Sequence, residues 1–320
     1  MRIAVPNSAF LGNIEAFAKG VDAAGPGLAV SLNQRWVAVH PMVVAMMGAA
    51  GLRARRLGEP VSVAESAARS LHYLVRMGMY GMLGIEPPTL VTEHESAGRF
   101  IPLTQVRSNE ELAAFIIEMI PLLHAPDAAG PIKYVVSELV RNVLEHSRSP
   151  DGAAVCAQYF AKSARLSVGV ADMGRGIRAS LSEHHVVRTD LEAIQRAMQP
   201  GITGTTATFG GNEYNAGAGL FFTKSIARAS RNFFVVYSGS ALFKLLRGPE
   251  NAPRTLIADP ARDVATRYDD MPVWPGAAIG IDIAVDAHDS FQQLLKQIYE
   301  TYRLEVRGNK RDRFKRARFA

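Results

Sequence analysis

Glu138 and Asn142 stand four residues apart in IKYVVSELVRNVLEHS (132–147). That spacing stacks a carboxylate and a carboxamide one turn apart on the same helix face. Such a pair suits a divalent cation with its water shell, the carboxylate activating a water and the amide holding the metal. A second carboxylate, Asp172, ends LSVGVA and is followed by Gly174 and Gly176. There it can accept a hydrogen bond from an exocyclic amine, while the glycines let a ligand approach the backbone. Gly217 and Gly219 open a third stretch, NAGAGLFFTKSI (215–226), whose amides at a helix start can face a phosphate. Each stretch alone has a plainer account, as a solvated helix face or a glycine-rich turn.

The elements that must position these residues follow from periodicity. Val135, Val136, Leu139, Val140, Val143 and Leu144 recur at three- and four-residue steps, so 132–147 reads as an amphipathic helix, opened by Pro131. Leu166, Val168 and Val170 alternate with Ser167 and Gly169, so 166–171 reads as a strand, paired in a hairpin with 153–160. An apolar helix, 220–229, follows the third stretch, and AAIGIDIAV (277–285) reads as the last strand. Between the second and third stretches lie about 40 residues, 178–216, too long for a plain connector in a compact domain. Their threonines and glycines suggest a lid around a short helix, 190–198. The adjacent His184 and His185 point different ways and have no further ligand at metal spacing.

In this order and spacing the three stretches resemble the GHKL family, the ATP-binding fold shared by histidine kinases, gyrase B, MutL-type repair proteins and anti-sigma-factor kinases. ELVRNVLEH (138–146) is similar to its N box, DMGRGI (172–177) to its G1 box and GAGLF (217–221) to its G2 box. The resemblance covers about residues 105–285. It implies a Bergerat fold with helices over a mixed sheet, binding ATP and Mg²⁺. Glu138 would be the general base and Asn142 the Mg²⁺ ligand. Asp172 would read the adenine amine. Gly174, Gly176, Ile177, Gly217, Gly219 and Leu220 would complete the nucleotide site. The family's last strand often opens with Gly-Thr, whereas this chain has Gly276-Ala277-Ala278, which removes the threonine hydroxyl. No Walker-type GxxxxGK[ST] loop occurs. The resemblance implies an ATPase or a protein kinase of serine or histidine type in bacterial-type signalling, with a regulator or phosphoacceptor protein as partner. The alternative is an interaction module gated by nucleotide with little turnover.

The chain divides by pattern into a small α/β domain (1–98), the ATP-binding domain (99–288) and a C-terminal helix with a basic tail (289–320), an α/β or α+β sandwich architecture. Helices are expected at 14–24, 42–52, 66–79, 110–123 and 290–302, and a surface excursion at 247–275. The first domain is similar in pattern to STAS domains, in which a strand enters an apolar helix through a tight turn. That resemblance places a phosphorylatable serine at the turn, where this chain has Val39-His40-Pro41-Met42 and no hydroxyl, so a docking or packing module is implied. His40 reads as a turn residue and Met42, Met46 and Met47 as core filler.

Of 320 residues, 48% are hydrophobic, enough for one large or two ordinary cores. No long uncharged apolar run and no signal-peptide core are present, and the single cysteine, Cys156, excludes an intrachain disulfide. A cytoplasmic protein without membrane contact is expected. Residues 303–320 hold eight basic and two acidic residues, an excess equal to the whole chain's +6. Such a tail can meet nucleic acid or an acidic partner, or simply solubilise the chain.

Overall fold

The row Cys156, Gly169 and Gly280, paired across three neighbouring strands, shows how the two halves of the chain meet. The computed structural model describes residues 1–68, 70–88, 100–119, 129–202, 219–249, 256–284 and 291–317. The N-terminal half comprises β1 (Arg2–Val5), β2 (Ser8–Ala9), α1 (Glu15–Ala18), β3 (Val21–Asp22), β4 (Leu28–Leu32), β5 (Ala38–Val39), α2 (Pro41–Arg56), β6 (Val61–Val63), α3 (Leu71–Arg76) and α4 (Met79–Leu83). There follow β7 (Phe100–Val106), α5 (Asn109–Met119), α6 (Ala129–Asn142), β8 (Ala153–Phe160), β9 (Arg165–Ala171), α7 (Gly176–Ser182), α8 (Asp190–Ala197) and α9 (Gly219–Ala229). The described chain ends with β10 (Phe234–Gly239), β11 (Ala241–Leu245), β12 (Ala265–Tyr268), β13 (Trp274–Ala284) and α10 (Phe291–Ala317).

Two main sheets result. The smaller has the order β3-β1-β4-β6, parallel except at β3. The larger has the order β12-β11-β10-β13-β9-β8-β7 and is antiparallel at every pair. A mixed sheet was the expectation for this half, and the difference has a topological cause. The chain between β9 and β10 crosses through α7, α8 and α9 and makes those two strands parallel, but β13 inserts between them and is antiparallel to both.

Alternation along β9 sorts the layers. Leu166, Val168 and Val170 join a core with the helices of one face, including Leu112, Val136, Leu139, Phe221, Ile298 and Tyr302. The opposite face packs on α2, whose residues 41–52 are buried without a break. A helix apolar on all sides must be covered on all sides, and α2 lies between the two sheets. Met42, Met46 and Met47 are fully buried there, as expected of core filler. Polar ties reinforce the contact: Arg56 with Asp151 at 2.9 Å, Lys244 with Glu15, and Cys156 Sγ donating to Pro41 O at 3.2 Å.

His40 caps α2 by accepting from the Met42 amide at Nδ1, 3.0 Å. The ring proton therefore sits on Nε2, 3.3 Å from Asp282 Oδ1. Ser167 Oγ donates to the same oxygen. Burial opposes charge on Asp282, but the His40 and Ser167 bonds and nearby Arg165 together hold its carboxyl below the ordinary range. His40 is a turn residue as expected, fully buried with both ring nitrogens engaged.

Several local expectations are corrected. The helix at 14–24 is only α1, because Gly20 turns the chain into β3; a Cβ there would lie 2.4 Å from Ala4 O. The helix at 66–79 breaks into α3 and α4 at Gly78, whose φ is 75°. Part of the surface excursion is the edge strand β12, paired with β11. The last helix runs to Ala317 rather than ending at 302. Among the described residues no helix is long and apolar enough to cross a membrane.

A Cβ on Gly169 would lie 2.2 Å from Met42 N and 2.3 Å from Pro41 C, which are backbone atoms with little freedom to move. Gly169→Ala should therefore destabilise the fold by about 2 kcal/mol or more in urea denaturation. Gly81→Ala, with nothing within 4 Å of the new methyl, should leave stability unchanged or slightly raised.

Candidate functional site

The apolar stripe of α6 seats Val135, Val136, Leu139 and Val140 in the core and leaves Glu138 and Asn142 facing the start of α9. The contact is close. A Cβ on Gly219 would stand 2.8 Å from Glu138 Oε2 and 3.1 Å from Asn142 Nδ2, so any larger residue there would push these two side chains out of their present positions. Burial raises the Glu138 carboxyl above its ordinary range, against the pull of Arg141, which pairs with Oε1 at 3.1 Å.

After Asn142 the helix widens into one π-helical turn, Val143–Ser147, ending at Arg148 with φ 52°. The loop after β9 is clamped to this turn. Arg175 donates its amide to Ser147 O at 2.9 Å and Nε to His146 O at 2.8 Å. A Cβ on Gly174 would lie 2.2 Å from Ser147 O, which explains that glycine by packing.

Asp172 is 1% exposed at the end of β9. Its Oδ1 accepts the Gly174 amide at 2.7 Å, its carbonyl accepts Trp274 Nε1 at 3.1 Å, and its amide donates to Ala277 O at 2.9 Å. Burial pushes its carboxyl from the ordinary 3.8 up to about 7, with the Gly174 and Ala277 amides pulling the other way. Gly276 is required beside it, because a Cβ there would lie 2.2 Å from Asp172 O. Ser238 Oγ ties the start of α7 to this strand, accepting from Ile177 N at 3.0 Å and donating to Gly276 O at 2.7 Å.

These elements enclose one cavity. Asn142, Asp172, Gly176, Ile177, Gly219 and Leu220 line it, so the three separated stretches do converge. Glu138 is not in the lining but stands beside Gly219 at its edge, and Gly174 lies in the supporting wall. Gly217 is outside the described residues. The remaining lining includes Leu139, Val143, His146, Ser147, Ser180, Leu181, Ala197, Ile202, Ala277 and Ile279. Of these, His146 carried a signal: it is four residues beyond Asn142, the same step that marks Glu138. Ile202 and Ile279 carried none.

Two lining side chains bury a polar atom that has no partner among the described residues, Asn142 Nδ2 and His146 Nδ1. Burial also lowers the basicity of the His146 ring, opposed by Glu145. Among the described residues no three His, Cys, Asp or Glu side chains cluster as a metal site. A cation held through one carboxamide and a ligand's own phosphates needs no such cluster.

No family model, curated protein or solved structure matches the chain.

The expected lid is partly built in. Residues 178–202 fold as the rest of α7, then α8, with Ile194 and Met198 fully buried, while 203–218 lie outside the described residues. Asp190 anchors α8 by accepting from the Ser240 amide at 2.9 Å, and a Thr189 cap closes its first turn. The short helix expected at 190–198 is α8, with Leu191, Ile194 and Met198 recurring at helical steps, whereas the threonine run of the expected lid lies outside the described residues.

The buried Asp172 gives a pH signature. Between about pH 4 and 7 the folded protein keeps a proton on this carboxyl that the unfolded chain has released. Stability should therefore fall as pH rises through that window and level off above it. Asp172→Asn removes the titration, so mutant-minus-wild-type stability should climb by a few kcal/mol from about pH 4 to about pH 8. Urea denaturation at each pH reads this directly, and parallel profiles would exclude an apolar setting for Asp172.

Proposed function

We propose that the chain is an ATP–Mg²⁺-binding regulatory protein of the GHKL type that hydrolyses ATP or transfers its γ-phosphate to a partner protein. The observation that supports this is the convergence of Asn142, Asp172 and Gly219 on one cavity, though 30 residues separate the first two and 47 the last two. The cavity's chemistry fits the ligand. Val143, Ile177, Leu181 and Ile279 offer apolar surface to a purine. Asp172 offers an acceptor to its exocyclic amine. The amides that open α9 can meet phosphate, and the unpartnered Asn142 amide group stands beside them; turned over, it presents Oδ1 to a cation.

Mg²⁺, when bound, neutralises phosphate charge. Glu138 then takes the proton of the attacking water or partner hydroxyl, a role favoured by a carboxyl that burial makes more basic. Oε2 is the oxygen on the Gly219 side, whereas Oε1 is held by Arg141. Ala277 lines the cavity where the family's threonine would offer a hydroxyl, so affinity rests more heavily on Asp172 and Asn142.

Calorimetric titration should show ATP binding that Asp172→Asn weakens by about 10- to 100-fold, since it leaves a buried partner unsatisfied. Absence of ATP binding by the wild-type chain would overturn the reading. Asn142→Ala should lose the Mg²⁺-dependent part of the affinity. Glu138→Ala should spare binding and slow turnover by about 10²- to 10⁴-fold, followed as phosphate release or label transfer from γ-labelled ATP. If Glu138→Ala turns over ATP like the wild type, Glu138 is not the general base; if the wild-type chain binds ATP but releases and transfers no phosphate, the nucleotide-gated interaction module replaces the enzyme.

A further inference from the structure

We propose that the C-terminal part of α10 is a basic helical arm that binds the phosphate backbone of duplex nucleic acid without sequence preference. The basic segment is not a separate tail: α10 is one helix from Phe291 to Ala317. Its first half is seated in the core through Ile298, Tyr302 and Val306, with Tyr302 against Phe221 and Phe222. The same stripe continues as Asn309, Arg313 and Arg316, so beyond Val306 it has nothing apolar to bury.

Charge is sorted around the helix. At about 100° per residue, Arg303, Arg307, Lys310, Arg311 and Lys315 fall within an arc of about 140°. Both acids between 303 and 317, Glu305 and Asp312, fall outside it. Arg303 and Arg307 are exposed, and the rest of the chain is near neutral in net charge, so the body adds no net negative charge to oppose a polyanion. The arc spans about 18 Å along the axis, the length of several phosphates of a duplex.

The composition selects among polyanions. A protein partner needs buried aromatic or aliphatic anchors, and a membrane surface needs a broad apolar face; past Val306 this helix has only Phe314 and Ala317. Single strands need a row of stacking aromatics, which is also missing. Arginine and lysine along one arc of a helix fit a regular phosphate backbone.

Fluorescence anisotropy with a labelled 20-base-pair mixed-sequence DNA duplex tests this. Five phosphate contacts predict a slope of log K against log[salt] near −4.5, about a 500-fold loss between 50 and 200 mM KCl. Lys310→Gln with Arg311→Gln should cut the slope by about 2. Arg313→Gln with Arg316→Gln, the same change in net charge off the arc, should alter it much less. ATP binding should be unchanged in both pairs, which separates this proposal from the nucleotide-site reading. No duplex binding at 50 mM KCl would overturn the proposal. So would equal losses from the two pairs, or equal affinity for polyglutamate or for the single strand.

Discussion

The start of α2 rests directly on the floor of the large sheet, and the remainder of the molecule is arranged to permit it. Gly169 and Gly280 are register partners, and a Cβ on either would intrude on Met42. Cys156, next in the row, adds a short side chain that donates to Pro41 O. With no side chains of size between helix and sheet, backbone comes against backbone. The polar groups thereby removed from water find one another: His40 with Asp282 and the Met42 amide, and Ser167 with Asp282. One uncompensated member would cost more than a typical hydrogen bond gains, so the group stands or falls as a set.

β13 carries this constraint to the cavity. Its Asp282 meets His40, its Gly280 lies under α2, and its Gly276 and Ala277 lie against Asp172. The strand enters the sheet between β9 and β10, holding apart two strands that the α7–α9 crossover would otherwise leave adjacent. β9 delivers Asp172 and β10 delivers Ser238, which steadies Ile177 and Gly276. The N-terminal half and the site are thus joined by direct contacts through β13 and through β9, which carries Gly169 under α2 and leads into Asp172. The α9 helix is fixed from its other end by Lys224 and Arg228, both paired with the fully buried Asp263.

The cavity keeps polar groups where packing alone would favour apolar ones. Among the described residues Asp172 is buried without a cation and Asn142 and His146 each keep an unpartnered polar atom, while Glu138 is raised by burial despite Arg141. Folding stability gains nothing from these arrangements. Under the proposed function they are the polar groups that would meet a nucleotide.

Asn142, Asp172 and Gly219, which converge on the cavity, were legible in the sequence because they sit at element ends marked by local rules. Four-residue spacing set Glu138 and Asn142 on one face, alternation ended a strand at Asp172, and an apolar helical stripe began after Gly219. The hairpin 153–171, α2 and the last strand were legible on the same grounds. Antiparallel pairing throughout the large sheet was not, because strand order depends on partners far apart in sequence, such as Ala171 and Ala278, and leaves no local trace. A short helix at 190–198 was legible; that its Ile194 and Met198 close into the core beside the cavity is decided only by the tertiary structure. Gly169, Gly276 and Gly280 read locally as weak points in strands; what they admit, a helix start and a carboxylate, comes from distant sequence. Periodicity and element ends are short-range properties and were settled by the chain itself. Which faces meet, and therefore which buried charges stand together, is decided only when those faces close on one another.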